Sequence, residues 1–263
     1  MFMKYCKYFL ILSMVLFSCN HTHRVKDILP RQSFLKVDKT LEITACNPRD
    51  VSQCLTKKMG ATGSGVIVEN GENGSYALTA AHICANKLDK RLAIKVKKFL
   101  YRFKVIDLKG RIYPVEILHM NSELDTCILY VRGLRRPAVR ISKKKPEEGD
   151  RVYNLAAPVG IFDINMVPIF QGFYSGATRK KAIYTIPAKG GSSGSPIINH
   201  RGELVGMVSM AFIYFSNACI SPLYSDLIAD MQKAIDHDKA TRPKLTILHK
   251  IMLLWSAISR KSP

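Results

Sequence analysis

The chain has 263 residues, 47% hydrophobic and 23% charged, with 16 Gly and 12 Pro. That balance excludes disordered, collagen-like and coiled-coil proteins, and the length suffices to bury a real core in one large domain or two small ones. Lys and Arg number 40 against 20 Asp and Glu, a formal charge of +20, which concerns partners and solubility rather than fold.

The first 18 residues read as a signal peptide. Lys4 and Lys7 form a positive start, and Tyr8 to Phe17 is an apolar run of ten residues, shorter than the ~20 needed to span a bilayer. Leu16-Phe17-Ser18-Cys19 then resembles the lipobox of bacterial lipoproteins, in which cleavage precedes the Cys and lipid is attached to its sulfur. The expectation is export to the cell envelope with Cys19 acylated, or secretion without it. Removing Lys4 and Lys7 leaves 20 − 2 = +18. With Cys6 removed and Cys19 lipidated, five cysteines remain, so at least one thiol is free or paired between chains. Cys46 and Cys54 are spaced to close a small loop. Cys84, Cys127 and Cys219 lie in apolar runs and read as buried small hydrophobes. No Cys/His spacing suggests a zinc site.

Residues 19–37 are polar and basic, as befits a tether. From Val37 to Leu223 the pattern is short β-branched or aromatic runs separated by turn residues, such as Gly65-Val66-Ile67-Val68, Thr126-Cys127-Ile128-Leu129-Tyr130-Val131 and Glu203-Leu204-Val205-Gly206-Met207-Val208. Runs at this spacing predict an all-β sandwich or barrel. Asn70-Gly71 and Asn73-Gly74 sit between two such runs and fit a tight hairpin. Lys143 to Asp150, KKKPEEGD, has no apolar residue and divides the β region into halves at about 38–142 and 150–224. Leu227, Ile228, Met231, Ala234 and Ile235 then recur on one face of a helix predicted over 225–240, before a basic and apolar tail at 241–263.

Three local patterns carry chemistry. Gly63-Ser64-Gly65-Val66-Ile67-Val68 precedes Leu78-Thr79-Ala80-Ala81-His82-Ile83-Cys84; Leu124-Asp125-Thr126-Cys127 follows; Gly190-Gly191-Ser192-Ser193-Gly194-Ser195-Pro196 comes last. A serine hydroxyl is a weak nucleophile near neutral pH and needs a base within hydrogen-bond reach, itself oriented by an acid. Ser193 among glycines is the nucleophile such a system wants, His82 the base and Asp125 its orienting partner. The Gly191 and Ser193 amides, in one tight turn, are placed to share an oxyanion. Each motif alone has a plainer explanation: a core histidine, a turn-capping Asp, a flexible loop. Their order and strand context together favour the catalytic one.

On these motifs the sequence resembles the chymotrypsin-like (trypsin-like) serine peptidases, in particular the compact bacterial branch with the HtrA and glutamyl-endopeptidase types. The similarity runs from about Val37 to Asp236. It implies an all-β, chymotrypsin-like fold of two packed six-stranded antiparallel barrels with a C-terminal helix, within a peptidase domain over 38–236. It implies the triad His82, Asp125 and Ser193, an oxyanion hole from Gly191 and Ser193, and pairing of substrate backbone with Val208-Ser209-Met210. Pro187, Ala188, Ser209, Met210 and Ala211 would wall the specificity pocket, with no acid or further histidine expected there, so cleavage after small or medium apolar residues is expected. Ser192 stands where animal members carry an Asp that pairs with a freshly cut N-terminus, so a site formed without such processing is expected. No metal or organic cofactor is implied, and the partner is a polypeptide substrate. The alternatives are an inactive member of the same fold that binds peptides at the envelope, and a basic scaffold for anionic polymer.

Lys87 to Arg111 holds ten Lys and Arg, and Arg132 to Lys145 seven. These, with Arg179-Lys180-Lys181, suit an anionic membrane surface; the aromatic platforms that nucleic acid would want are not evident, and no specific nucleic acid is expected. The tail LTILHKIMLLWSAI, Leu245 to Ile258, is too short and interrupted to span a bilayer, and is expected to dock on the body or lie at a membrane interface.

Overall fold

The computed structural model describes residues 25–47, 50–85, 96–212, 215 and 217–243. The signal peptide, Cys19, the basic run 86–95 and the tail from 244 lie outside the described residues. Among those described, no helix is long and apolar enough to cross a membrane.

Six strands close a barrel in the order β1-β2-β3-β6-β5-β4: β1 (Phe34–Asn47), β2 (Asp50–Gly71), β3 (Gly74–Ala80), β4 (Val96–Asp107), β5 (Ile112–Asn121) and β6 (Thr126–Arg132). All its neighbouring pairs are antiparallel. Phe34, Leu35, Val66, Ile67, Leu78, Ile128 and Leu129 are all fully buried, in a core that covers both faces of these strands. Gly71 pairs with Gly74 across a two-residue loop, which is the expected hairpin. Its Gly is required at 74, where a Cβ would stand 2.4 Å from the Val131 carbonyl oxygen of β6.

The second sheet has eight strands in the order β13-β14-β10-β9-β8-β11-β12-β7. They are β7 (Arg140–Ile141), β8 (Arg151–Leu155), β9 (Ile169–Ala177), β10 (Lys181–Tyr184), β11 (Pro196–Asn199), β12 (Glu203–Met207), β13 (Met210–Ala211) and β14 (Cys219–Pro222). Where a second six-stranded barrel was expected, the chain forms this eight-stranded sheet, with two-residue strands at both edges. β7 pairs in parallel with β12, so the second sheet already includes Arg140 and Ile141, ahead of the polar stretch. β12 and β14, which are not neighbours in that order, approach each other where Met207 N–H donates to Ser221 Oγ (3.1 Å).

Three α-helices are described: α1 (Val25–Ile28), α2 (Ala81–Cys84) and α3 (Tyr224–Thr241), besides two short 3-10 turns at Arg31–Ser33 and Pro158–Gly160. In α3, Leu227, Met231, Ala234 and Ile235 are buried, the spacing that puts one stripe of a helix inward. That stripe joins the core of the first barrel, with Ile228 packed beside it. Arg242 closes the helix over the Tyr130 ring (3.7 Å to the centroid) and donates to Asp238, which accepts from Tyr76 Oη (2.9 Å). The last helix therefore straps the second half of the chain onto the first.

The cysteines correct one expectation. Cys46–Cys54 closes the small loop, but Cys84 and Cys127, read as thiols in apolar runs, form a second disulfide; Cys219 is free and buried. Both Cys84 and Cys127 are buried, so burial was legible, but their approach depends on the pairing of β3 with β6, where Thr79 faces Cys127. Disulfides fit an oxidising, extracytoplasmic compartment.

Candidate active site

Strand register brings the first two candidates together. Ala80, the last residue of β3, pairs with Thr126, the first of β6. His82 is two residues past one strand end and Asp125 one residue before the other, so a contact 43 residues long in sequence becomes a neighbour contact in space. The Cys84–Cys127 bond ties the same two segments again. His82 Nδ1 lies 2.9 and 3.0 Å from the Asp125 carboxylate oxygens, and His82 N–H donates to Oδ1 at 2.9 Å. With Nδ1–H on the carboxylate, Nε2 is left as the basic nitrogen. Asp125 also accepts from Ser209 Oγ (2.5 Å on Oδ2). Burial pushes this carboxyl up, but the bonds from His82 and Ser209 outweigh that and hold it below its ordinary value.

The third candidate sits on a loop of the second sheet braced from three directions. Ser64, fully buried in β2, donates from Oγ to the Gly191 carbonyl (2.8 Å), accepts there from Ala157 N–H (3.0 Å), and donates its own N–H to Ser193 O (2.8 Å). Val208 O accepts from Gly194 N–H (2.7 Å), and Val159 N–H donates to Gly190 O (2.6 Å). The N–H and C=O of a trans peptide point in opposite directions. Gly190 O turned toward Val159 therefore aims Gly191 N–H the other way. Ser192 O, accepting from Ser195 N–H (3.0 Å), does the same for Ser193 N–H. Neither Gly191 N–H nor Ser193 N–H has an acceptor among the described residues, whereas the Ser192, Gly194 and Ser195 amides are all engaged. Two free donors flank one serine.

Glycine is required at two places in this loop. At Gly191 (φ +96°) a Cβ would stand 2.3 Å from Ala157 O, and at Gly194 (φ +85°) 2.2 Å from Ser64 O. Val159 itself has φ 46°, left-handed for a β-branched residue, a strain that the loop sustains to present its N–H. Ser192 is buried and accepts Lys189 N–H at 3.3 Å, tying the loop to itself.

His82, Asp125 and Ser193 line one cleft of about 610 Å³ together with Val208, Ser209, Met210 and Ala211. Met210 and Ala211 are the edge strand β13, with one side paired to β14. Of the other expected pocket residues, Ala188 is buried in the smaller core and Pro187 is not among the lining residues. Lys181, Lys189, Gly190, Ser122, Glu123 and Ile220 complete the lining instead. Lys181 Nζ donates to Glu123 O at 3.3 Å, which links the two halves across the cleft. The bracing residues Ser64 and Val159 were not singled out from sequence. For Ser64 a signal was present, since Gly-Ser-Gly inside a strand marks a close backbone approach; for Val159 there was none.

Against known proteins, the trypsin-like peptidase domain profile matches residues 63–207. No curated protein matches significantly. The serine endoprotease of Yersinia pestis superposes with a TM-score of 0.57 at 20% identity, over 79% of this chain and 64% of that one, so the chain spans less than two thirds of that protein. The Rv3671c protease of M. tuberculosis in its active form gives 0.58 at 16% identity over 78% and 82% of the two chains. An inactive-form mutant of it gives 0.55 at 16% over 82% and 91%. At such identities the likeness speaks for the fold alone.

Proposed function

This chain belongs to the trypsin-like peptidase family, and from that premise we propose that it is an active serine endopeptidase using Ser193, His82 and Asp125. The observation that carries the proposal is the pair of unengaged amides, Gly191 and Ser193, beside a serine that shares a cleft with a hydrogen-bonded His–Asp pair. Ser193 Oγ attacks the scissile carbonyl carbon while His82 Nε2 takes its proton. The carbonyl oxygen becomes an oxyanion between the two amides, an interaction worth about 2.7–4 kcal/mol per donor in the transition state. Collapse breaks the C–N bond, and the proton on Nε2 passes to the leaving amine. Water then attacks the acyl-Ser193 ester with His82 as base, which releases the acid and restores the serine. Asp125 stays ionised throughout, fixing the imidazole's tautomer and stabilising its cation.

Polypeptide enters as an added strand along Met210-Ala211, whose described pairing is one-sided, to β14; of the expected Val208-Ser209-Met210, Val208 is already engaged, its N–H on Ser195 O and its O on Gly194 N–H. Met210, Ala211 and Ile220 favour a small or medium apolar side chain before the cut, with Lys181 and Lys189 at the walls. Ser192 bonded within its own loop supports a site that needs no N-terminal cleavage to form. The chain is exported and anchored by lipid on Cys19. Exposed Lys143, Lys144 and Lys145 then face anionic headgroups at about 1 kcal/mol each. Arg136 is less available, being paired with buried Asp107.

One experiment tests both parts: cells carrying wild type, Ser193→Ala or Cys19→Ser are treated with a fluorophosphonate probe and fractionated. Expected are a labelled wild-type band in the membrane fraction, no label on Ser193→Ala, and a labelled but released Cys19→Ser. A folded, unlabelled wild type refutes the peptidase; a membrane-retained Cys19→Ser refutes the anchor.

A further inference from the structure

Asp230, in the middle of α3, is 11% exposed and collects three side chains of the first barrel. Its Oδ1 accepts from Asn121 Nδ2 at 3.0 Å and lies 3.0 Å from His119 Nε2, and its Oδ2 accepts from Thr126 Oγ1. These residues close β5 and open β6, on either side of the turn 122–125 that ends in Asp125. Asn121 extends the hold into the turn, accepting Glu123 N–H (3.1 Å) and Leu124 N–H (3.2 Å) on Oδ1. Burial pushes the Asp230 carboxyl up, and the bonds from Thr126, Asn121 and His119 bring it below its ordinary value, as for an acceptor ionised in use.

The turn is held from both sides. Asp125 has φ 61°, a left-handed conformation that Asp adopts more readily than most L-residues. Its direction is therefore set by the hydrogen bonds at either end. On one side Asp125 is held by Ala81 N–H on its carbonyl (3.1 Å) and by His82. On the other, the chain leaves directly into Thr126, which is bonded to Asp230.

We propose that Asp230 is a positioning residue of the active site: through Asn121 and Thr126 it holds the 121–126 turn so that Asp125 meets His82. The proposal rests on the reading of His82 and Asp125 as the catalytic pair. It gives α3 a part in catalysis beyond strapping the two halves together. It also gives His119, which the sequence set apart in no functional pattern, a peripheral place in the same cluster.

The test uses two independent readouts on the exported protein: the rate of fluorophosphonate acylation, and the low-field proton resonance of the His82 Nδ1–H···Asp125 hydrogen bond. Loss of hydrogen bonds to a charged acceptor predicts that Asp230→Ala acylates about 10- to 100-fold more slowly and loses or shifts the resonance. His119→Ala leaves the Asn121 and Thr126 bonds in place and keeps the resonance, with a rate within about twofold of wild type. Should Asp230→Ala fail to fold, the isosteric Thr126→Val carries the test, with about a 3- to 10-fold slower acylation and a shifted resonance. A folded Asp230→Ala, or failing that a folded Thr126→Val, with unchanged rate and resonance overturns the proposal. A wild type with the resonance but no acylation overturns the peptidase reading, and the resonance of Asp230→Ala then still decides the positioning.

Discussion

The Gly191 peptide is where backbone geometry and catalysis meet most directly, and replacing Gly191 with Ala puts a number on it. The new Cβ would lie 2.3 Å from Ala157 O and 3.0 Å from Val159 N, at φ +96°. Neither neighbour yields easily, because Ala157 O accepts from Gly160 N–H (3.1 Å) and Val159 N–H is bonded to Gly190 O. The substituted residue must rotate toward negative φ, which swings its N–H out of the hole. Loss of one donor costs about 2.7–4 kcal/mol in the transition state, or ~10²–10³ in acylation rate. Gly190→Ala is the matched comparison: no heavy atom lies within 4 Å of its Cβ and its φ is not positive. Its effect should stay within about threefold, as for a substitution in open space. The assay is the second-order rate constant for fluorophosphonate labelling, with thermal unfolding as a check on folding. A folded Gly191→Ala labelled as fast as wild type, or a Gly190→Ala equally slow, would refute the reasoning.

Two further outcomes follow from neighbouring contacts. Ser209→Ala removes a hydrogen bond to the Asp125 carboxylate worth about 1.5–3 kcal/mol, so acylation should fall ~10- to 100-fold. Because Asp125 is held low in the fold, its stabilisation is present above its unfolded value of about 3.9 and is lost as pH falls through the folded one. Ser209→Ala should therefore move the acid-unfolding midpoint to higher pH; an unchanged midpoint and rate would leave Ser209 without the assigned part. The Cys84–Cys127 bond closes a span of 43 residues, which the chain-entropy relation makes worth about 4 kcal/mol. The double variant Cys84→Ala/Cys127→Ala should melt roughly 8–16 °C lower by calorimetry. The Cys46–Cys54 span of 8 is worth about 2.5 kcal/mol by the same relation, and removing it should cost less. Equal losses for the two would contradict this account.

The all-β architecture was legible because strand runs and turn residues are local signals: apolar runs such as Thr126–Val131 became β6, and the stripe Leu227–Met231–Ala234–Ile235 became the inward face of α3. The candidate residues His82, Asp125 and Ser193 were legible for a different reason, since each stands in a short motif whose glycines and flanking strands constrain it. What no local pattern carries is which distant groups meet. The β3–β6 register decided the Cys84–Cys127 bond and the His82–Asp125 contact. Packing of the second sheet against the first set Ser64 under Gly191 and brought Lys181 to Glu123 in the cleft wall, with Pro187 outside the lining. No local pattern marked Asp230; its partners on β5 and β6 come from the docking of α3. Hydrogen-bond partners are chosen over a few ångströms in space, across separations of up to 162 residues in this chain. Composition and spacing therefore reach the elements and their motifs, while packing alone selects the pairs that turn them into a site.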